Sequence, residues 1–293
     1  MPEGATLVRT AAGLRPHLVG RMVIAARVRP PGPRADRIVG TTIEAVETQG
    51  KHLLIRFDSG LELRSHLGMH GSWHRYAPGE RWRRALSRAR LVLEVPGAVA
   101  VCFDAPDLEL FESRAAPFVP VLASLGPDLS AETFDSDEAL ARLAAPRPEP
   151  RTIAEALLDQ KVMAGAGNVF KSEILFIERV DPFAPVESLD RGTLGRLVAT
   201  ARRLLVANRT TVQRTTTGGA RAATGSPLWV YGRAGRPCRR CGTLIESITH
   251  GRLPRRTYWC PTCQAPSPAT RSAVGSPAET VSAPRTPERT ARG

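Results

Sequence analysis

Apolar residues change their period at about residue 22 and again after Pro120. Leu7, Ala11, Leu14 and Leu18 recur at helical spacing, which predicts a helix over 3–19 stopped by Gly20. From Met22 to about Glu112 the pattern is strand-like, with candidate strands at 22–29, 42–48, 51–58, 61–67, 89–95, 98–104 and 108–112. Asp58-Ser59-Gly60 and Pro96-Gly97 are turn signals between two apolar pairs. Many short strands at regular spacing imply a β-sandwich or barrel.

After Pro120 the period becomes helical. One helix is expected over 135–145, opened by Asp135-Ser136-Asp137 and interrupted by Pro146, Pro148 and Pro150. A second starts at Thr152 with Glu155 three residues on, a capping box, and should run to about Met163. Ala164-Gly165-Ala166-Gly167 reads as a tight turn, Asn168 opens a third helix, and Asp190 to Asn208 forms a fourth. The expected architecture is a β-rich N-terminal domain joined near 115–130 to a helical domain. Residues 208–235 read as loop, and 266–293, without aromatics, as a disordered tail.

At 293 residues and 42% apolar content, the chain can build one large or two ordinary domains. It has no apolar run long enough to span a bilayer and no secretory N-terminal pattern, so a cytoplasmic, nucleoid-associated protein with no membrane partner is expected. The net charge is +13, and only Lys51, Lys161 and Lys171 among the 41 basic residues are lysines. Arginine suits bidentate phosphate contacts, so a nucleic acid is the simplest partner, with a merely basic cytosolic protein as the plainer alternative.

Four of the five cysteines form Cys238-x2-Cys241-x18-Cys260-x2-Cys263. Two CxxC knuckles match a tetrahedral structural zinc site; two disulfides or an iron–sulfur cluster are the alternatives. Arg252, Arg255 and Arg256 lie in the hairpin between the pairs. Gly165 to Asn168 could cradle a phosphate at a helix N-terminus or be a plain helical hairpin, and Lys161 and Lys171 flank it. Lys51 opens a strand after Gly50, either as a phosphate ligand or as a solvated edge. Met69, in the Gly-bracketed loop His66–Gly71, is an apolar wedge or core filler. No HExxH-like spacing supports a catalytic metal. At the start of the chain, removal of Met1 would expose Pro2, a secondary amine beside Glu3 and at the positive end of a helix. An α-amine titrates at roughly 7.7–8.0, so it can serve as a nucleophile where a lysine cannot.

The Pro-Glu start, the Gly-Lys-His-Leu-Leu strand, the Gly-Met-x-Gly loop, the Gly-x-Gly-Asn turn and the four-Cys finger ending Arg-Arg-Thr-Tyr-Trp-Cys-Pro-x-Cys-Gln occur in that order. Over about residues 2–264 this resembles the formamidopyrimidine-DNA glycosylase and endonuclease VIII family of base-excision repair enzymes. The resemblance implies an α+β multidomain fold: an N-terminal β-sandwich with an N-terminal helix (2–120, catalytic), a helical helix–two-turns–helix DNA-binding domain (121–232) and a C-terminal zinc-finger hairpin (233–265), ahead of the tail. It implies Pro2 as nucleophile, Glu3 as its proton donor and acceptor, and Lys51 and Asn168 as phosphate ligands. Arg255, with Arg256 as competitor, would hold phosphates flanking the lesion, Met69 would fill the gap left by the flipped base, and Lys171 is grouped with the DNA-binding residues. The implied cofactor is one structural Zn2+ and the implied partner is damaged double-stranded DNA, bound by a monomer.

Ala5 and Thr6 stand where relatives often carry an acidic residue, Asp107-Leu108-Glu109-Leu110 lacks an Arg-Phe pair, and 215–230 is short for an oxidised-purine capping loop. These departures favour an endonuclease VIII-like glycosylase and AP lyase acting on oxidised pyrimidines and abasic sites. An oxidised-purine glycosylase and a non-catalytic nucleic-acid-binding zinc protein are the rival readings.

Overall fold

The computed structural model describes residues 2–211, 213–218, 227–252 and 254–266; the expected tail from 267 onward lies outside the described residues. Helix α1 spans Gly4–Leu18 and buries Leu7, Ala11, Leu14 and Leu18, the stripe its sequence predicts. Gly20, at φ +76°, ends it in a conformation that costs glycine little.

Eight strands follow: β1 (Ala25–Val28), β2 (Ile43–Gln49), β3 (His52–Phe57), β4 (Leu61–His66), β5 (Ser72–Tyr76), β6 (Ala89–Val95), β7 (Ala98–Phe103) and β8 (Asp107–Glu112). They form two four-stranded antiparallel sheets, ordered β1-β6-β7-β5 and β2-β3-β4-β8. Leu53, Ile55 and Phe57 alternate inward along β3 and meet Leu91, Leu93 and Cys102 of the other sheet, with α1 packed into the same core.

Two strand expectations change. Met22 makes only an isolated bridge to Thr42, and β1 begins three residues later. Strand β5 escapes a period-two reading because it buries Trp73 and Tyr76, three residues apart; pairing of Ser72–Tyr76 with Phe103–Val99 makes it a strand.

The second body contains α2 (Pro120–Ala123), α3 (Ser136–Ala144), α4 (Ile153–Ala156), α5 (Asn168–Glu178) and α6 (Arg191–Ala207). Asp135 and Asp190 cap α3 and α6 by accepting from Glu138 N and Thr193 N. The capping box at Thr152 and Glu155 is present, but the helix behind it ends at Ala156 instead of Met163. The backbone tightens there, with Leu158 N bonded to Glu155 O and Asp159 N to Ala156 O. The Gln160 side chain then takes over, donating to the Leu158 and Ala166 carbonyls and accepting from Gly165 N. Side-chain bonds to backbone thus replace the helical ladder and build two turns between helices. Leu157, Val162, Phe170, Ile174 and Leu197 fill this core, which Ala5 of α1 enters.

The third module is the antiparallel hairpin β9 (Glu246–His250) and β10 (Arg255–Trp259). It packs on α5 through Phe176, Val230, Ile245 and Cys260.

Candidate active site

The start of α1 is wedged against the start of α5. Gly4 N donates to Gly165 O at 2.9 Å. A Cβ at Gly4 would sit 2.9 Å from Ser130 Oγ and 3.0 Å from Gly165 Cα, so this approach requires glycine. Glu3 does not cap its own helix with its side chain. Its carboxylate crosses to α5, where Oε1 accepts from Val169 N at 2.9 Å. Glu3 is fully buried, and its Oε2 has no hydrogen-bond partner. A buried, unpartnered carboxylate oxygen costs stability, and such groups concentrate where chemistry is done.

Beside Glu3 opens a cavity of about 730 Å3 whose lining includes Pro2, Lys51, His66, Met69, Asn168 and Arg255. These residues come from all three modules. Pro2 is half-buried at its wall. Met69 is 55% exposed, an apolar tip facing outward rather than core filler.

Lys51 sits in the β2–β3 turn, one residue ahead of the strand it was expected to open. Its position is fixed by the preceding residue: Gly50 N donates to Asp128 Oδ2 at 2.7 Å, and Asp128 Oδ1 accepts from Ser130 N and Oγ. Burial pulls the Lys51 ammonium down to about 8; the Glu3 carboxylate opposes that shift and Arg255 adds to it. The site therefore mixes a buried carboxylate with two cations, and its potential suits an anion.

Asn168 opens α5 and is 5% exposed. Its Nδ2 donates to the Arg256 carbonyl at 2.8 Å, which fastens α5 to β10. Arg255 lines the cavity, whereas the Arg256 guanidinium bonds Ser247 Oγ at 3.0 Å within the hairpin. Lys171 departs from its expected contact with DNA. It is 1% exposed, and its Nζ donates to Asn168 Oδ1 and Thr257 Oγ1, each at 2.8 Å. As the fourth residue of α5, it points inward between helix and hairpin.

The sulfurs of Cys238, Cys241, Cys260 and Cys263 lie within 4.8 Å of one another. Tetrahedral Zn–S bonds of about 2.3 Å place sulfurs roughly 3.8 Å apart, so the donor set fits Zn2+. Hydrogen bonding from Thr243 draws the Cys241 thiol down to about 6, while burial raises Cys260 and Cys263. A divalent cation reconciles them by holding all four as thiolates. With four protein ligands, the zinc is structural, and it fixes the hairpin that carries Arg255.

Sequence reasoning missed three contributors. His66 lines the cavity, with its Nδ1 3.4 Å from Asp107 Oδ2; its place in the Gly-bracketed loop was a usable signal. Asp128 gave no signal, because it acts from a turn through one backbone N–H. Glu173, fully buried and raised by that burial, accepts from Trp229, Val230 and Tyr231 N and so anchors the chain entering the finger.

Family models for the formamidopyrimidine-DNA glycosylase N-terminal domain, the formamidopyrimidine-DNA glycosylase H2TH domain and the zinc finger found in FPG and IleRS match residues 1–107, 125–218 and 235–266. The chain is 41% identical to the probable endonuclease 8 2 of Streptomyces coelicolor, over 94% of this chain and 99% of that one. It is 42% identical to the DNA-(apurinic or apyrimidinic site) lyase Nei2 of Mycolicibacterium smegmatis, over 91% of this chain and all of that one. A complex of Lactococcus lactis Fpg with DNA containing an abasic site is similar in fold, with a TM-score of 0.75 at 22% identity, covering 90% of this chain and all of that one.

Proposed function

This chain belongs to the formamidopyrimidine-DNA glycosylase and endonuclease VIII family, and from that premise we propose that Pro2 is the nucleophile through which it acts on damaged DNA. It is a DNA glycosylase and AP lyase of base excision repair. The observation that carries the Pro2 reading is the buried Glu3 carboxylate, whose Oε2 has no protein partner, adjoining Pro2, which itself lines a cavity with Lys51.

With Met1 removed, the Pro2 nitrogen attacks C1′ of a nucleotide flipped into the cavity. The N-glycosidic bond breaks and the base leaves with a proton. Glu3 Oε2 is placed to pass that proton on and to assist opening of the sugar. Because Pro2 is a secondary amine, the adduct is a cationic iminium. Water takes the C2′ proton, the C–H electron pair flows to the iminium, and the enamine so formed breaks the C3′–O bond and expels the 3′ phosphate. Lys51, Asn168 and Arg255 hold the phosphates flanking the lesion, and Met69 fills the vacated stack.

The lesion is an oxidised pyrimidine or an abasic site, and the protein acts as a monomer. The absence of an Arg-Phe pair in Asp107-Leu108-Glu109-Leu110 supports this choice of lesion, as does likeness to relatives named endonuclease 8 and Nei2. Competition between thymine-glycol and 8-oxoguanine duplexes tests the substrate: faster release of thymine glycol is expected, and faster release of 8-oxoguanine overturns it. Borohydride capture of the iminium tests the nucleophile. No helix among the described residues is long and apolar enough to cross a membrane.

A further inference from the structure

The face of α5 that meets the zinc hairpin is polar and dry. Asn168, Lys171 and Ser172 are 5%, 1% and 0% exposed, and Thr257 opposite them is 1% exposed. Three consecutive residues of β10 bond to that face. The Arg256 carbonyl accepts from Asn168 Nδ2 at 2.8 Å, Thr257 Oγ1 accepts from Lys171 Nζ at 2.8 Å, and Tyr258 N donates to Ser172 Oγ at 3.4 Å. Lys171 also donates to Asn168 Oδ1 at 2.8 Å.

An ammonium can only donate. Its presence behind Asn168 therefore dictates which end of the amide faces inward. Oδ1 must turn to Lys171, and the N–H end is left for the hairpin side, where it meets the Arg256 carbonyl and the Tyr231 side chain. A neutral apolar residue at 171 would leave Asn168 Oδ1 and Thr257 Oγ1 as buried acceptors without a donor, free to turn over. The ammonium is held there although burial and Arg255 lower it to about 8, with Glu3 opposing. A fully satisfied buried network of this kind specifies one arrangement of the elements it joins.

We propose that Lys171 is a positioning residue for DNA binding: it orients the Asn168 amide and locks α5 to β10, so that Asn168 and Arg255, both at the cavity wall, are held as one rigid unit. This rests on the phosphate-binding reading of Asn168 and Arg255 given above. It assigns Lys171 a role distinct from a phosphate contact, and the two roles differ in their salt dependence.

The test is equilibrium binding of the full-length, zinc-loaded protein to a duplex carrying a tetrahydrofuran abasic analogue, at several salt concentrations. Lys171→Met is expected to weaken binding on the order of tenfold, the size of coupling between residues in one network. The slope of log affinity against log salt should match wild type, because the contact disturbed is that of the uncharged Asn168 amide and no cation leaves a phosphate. In an Asn168→Ala background, Lys171→Met should cost less than it does alone, because only its anchor to Thr257 is then left to lose. Zinc content and thermal unfolding are recorded for each variant. Should Lys171→Met fail to fold, Thr257→Val removes one anchor and is expected to show the same pattern of weaker binding at an unchanged slope.

A salt slope reduced by about one would make Lys171 a direct phosphate ligand and overturn the proposal. So would wild-type affinity in Lys171→Met, or an undiminished penalty in the Asn168→Ala background. Failure of wild type itself to bind the duplex would instead overturn the phosphate-binding reading.

Discussion

The Glu3 carboxylate and the backbone N–H of Val169 are joined by a 2.9 Å hydrogen bond that crosses from the N-terminal body to the helical one. Val169 is the second residue of α5, whose flanking Gly167 offers no side-chain cap, so Glu3 caps that helix from outside. The positive end of α5 thus stabilises a carboxylate that burial would otherwise penalise. One oxygen is held, and the other has no hydrogen-bond partner.

Gly167 is what lets Glu3 reach that position. A Cβ there would lie 2.5 Å from Glu3 Oε1 and 2.6 Å from its Cγ. Gly167→Ala is therefore expected to push the carboxylate off Val169. Thermal unfolding should show a loss of about 1–3 kcal/mol, the usual cost of overpacking. Lyase activity on an abasic duplex should fall at least about tenfold, since misplacement by an ångström suffices for that. Gly13→Ala, at an α1 position with nothing within 4 Å, is the control. It should stabilise by up to about 1 kcal/mol and leave activity unchanged.

Stability and DNA affinity should respond oppositely to alkaline pH. Lys51 and Lys171 titrate at about 8 in the folded state against an ordinary value near 10.5. Between those values the unfolded chain binds more protons than the folded one, so the contribution of both lysines to stability rises with pH from about 8 to 10.5. An ammonium attracts phosphate and a neutral amine does not, so on the role proposed for Lys51 affinity should decline as pH passes about 8. Lys51→Met is expected to lessen the decline, leaving only the part due to Lys171, which fluorescence-anisotropy titrations across this range would measure. An unaltered decline in that variant would count against Lys51 as the ligand.

The two finger arginines should separate cleanly. Arg255 lines the cavity, whereas Arg256 is tied to Ser247. Arg255→Ala should weaken binding to all duplex sequences alike and lower the salt slope by about one. Arg256→Ala should cost less and leave the slope nearly intact. The reverse ranking would show that the hairpin turns over on DNA.

Zinc should act on binding through the hairpin alone. Removing the metal by chelation, or replacing Cys263 with Ala, is expected to free β9 and β10 and with them Arg255. Metal analysis and binding titrations should then show zinc and duplex affinity lost together. The core of Leu53, Leu91 and α1 lies in another body and should keep its thermal transition.

Much of this was legible from local pattern. Helix α1, β3 and the caps at Asp135, Thr152 and Asp190 depend on neighbours within a few residues, and the four cysteines declare a metal by spacing alone. What was not legible depends on distant partners. Strand β5 exists because β7 pairs with it, and the turns after Ala156 form because Gln160 binds Ala166 and Gly165. Asp128 reaches Lys51 only through the Gly50 backbone. Lys171 reads in the sequence as a DNA-binding cation flanking a phosphate turn; only the packing of α5 on β10 reveals it as interior.

Covalent capture at Pro2 tests the central reading most directly. Protein with a free Pro2 amine is mixed with an abasic-site duplex and borohydride, and the cross-linked peptide is identified by mass spectrometry. The expected result is a reduced adduct on Pro2, absent both from a form carrying an uncleaved N-terminal extension and from Pro2→Gly with that extension, and strongly diminished in Glu3→Gln. Equal trapping by the extended Pro2→Gly form, or an adduct on Lys51 in place of Pro2, would contradict it.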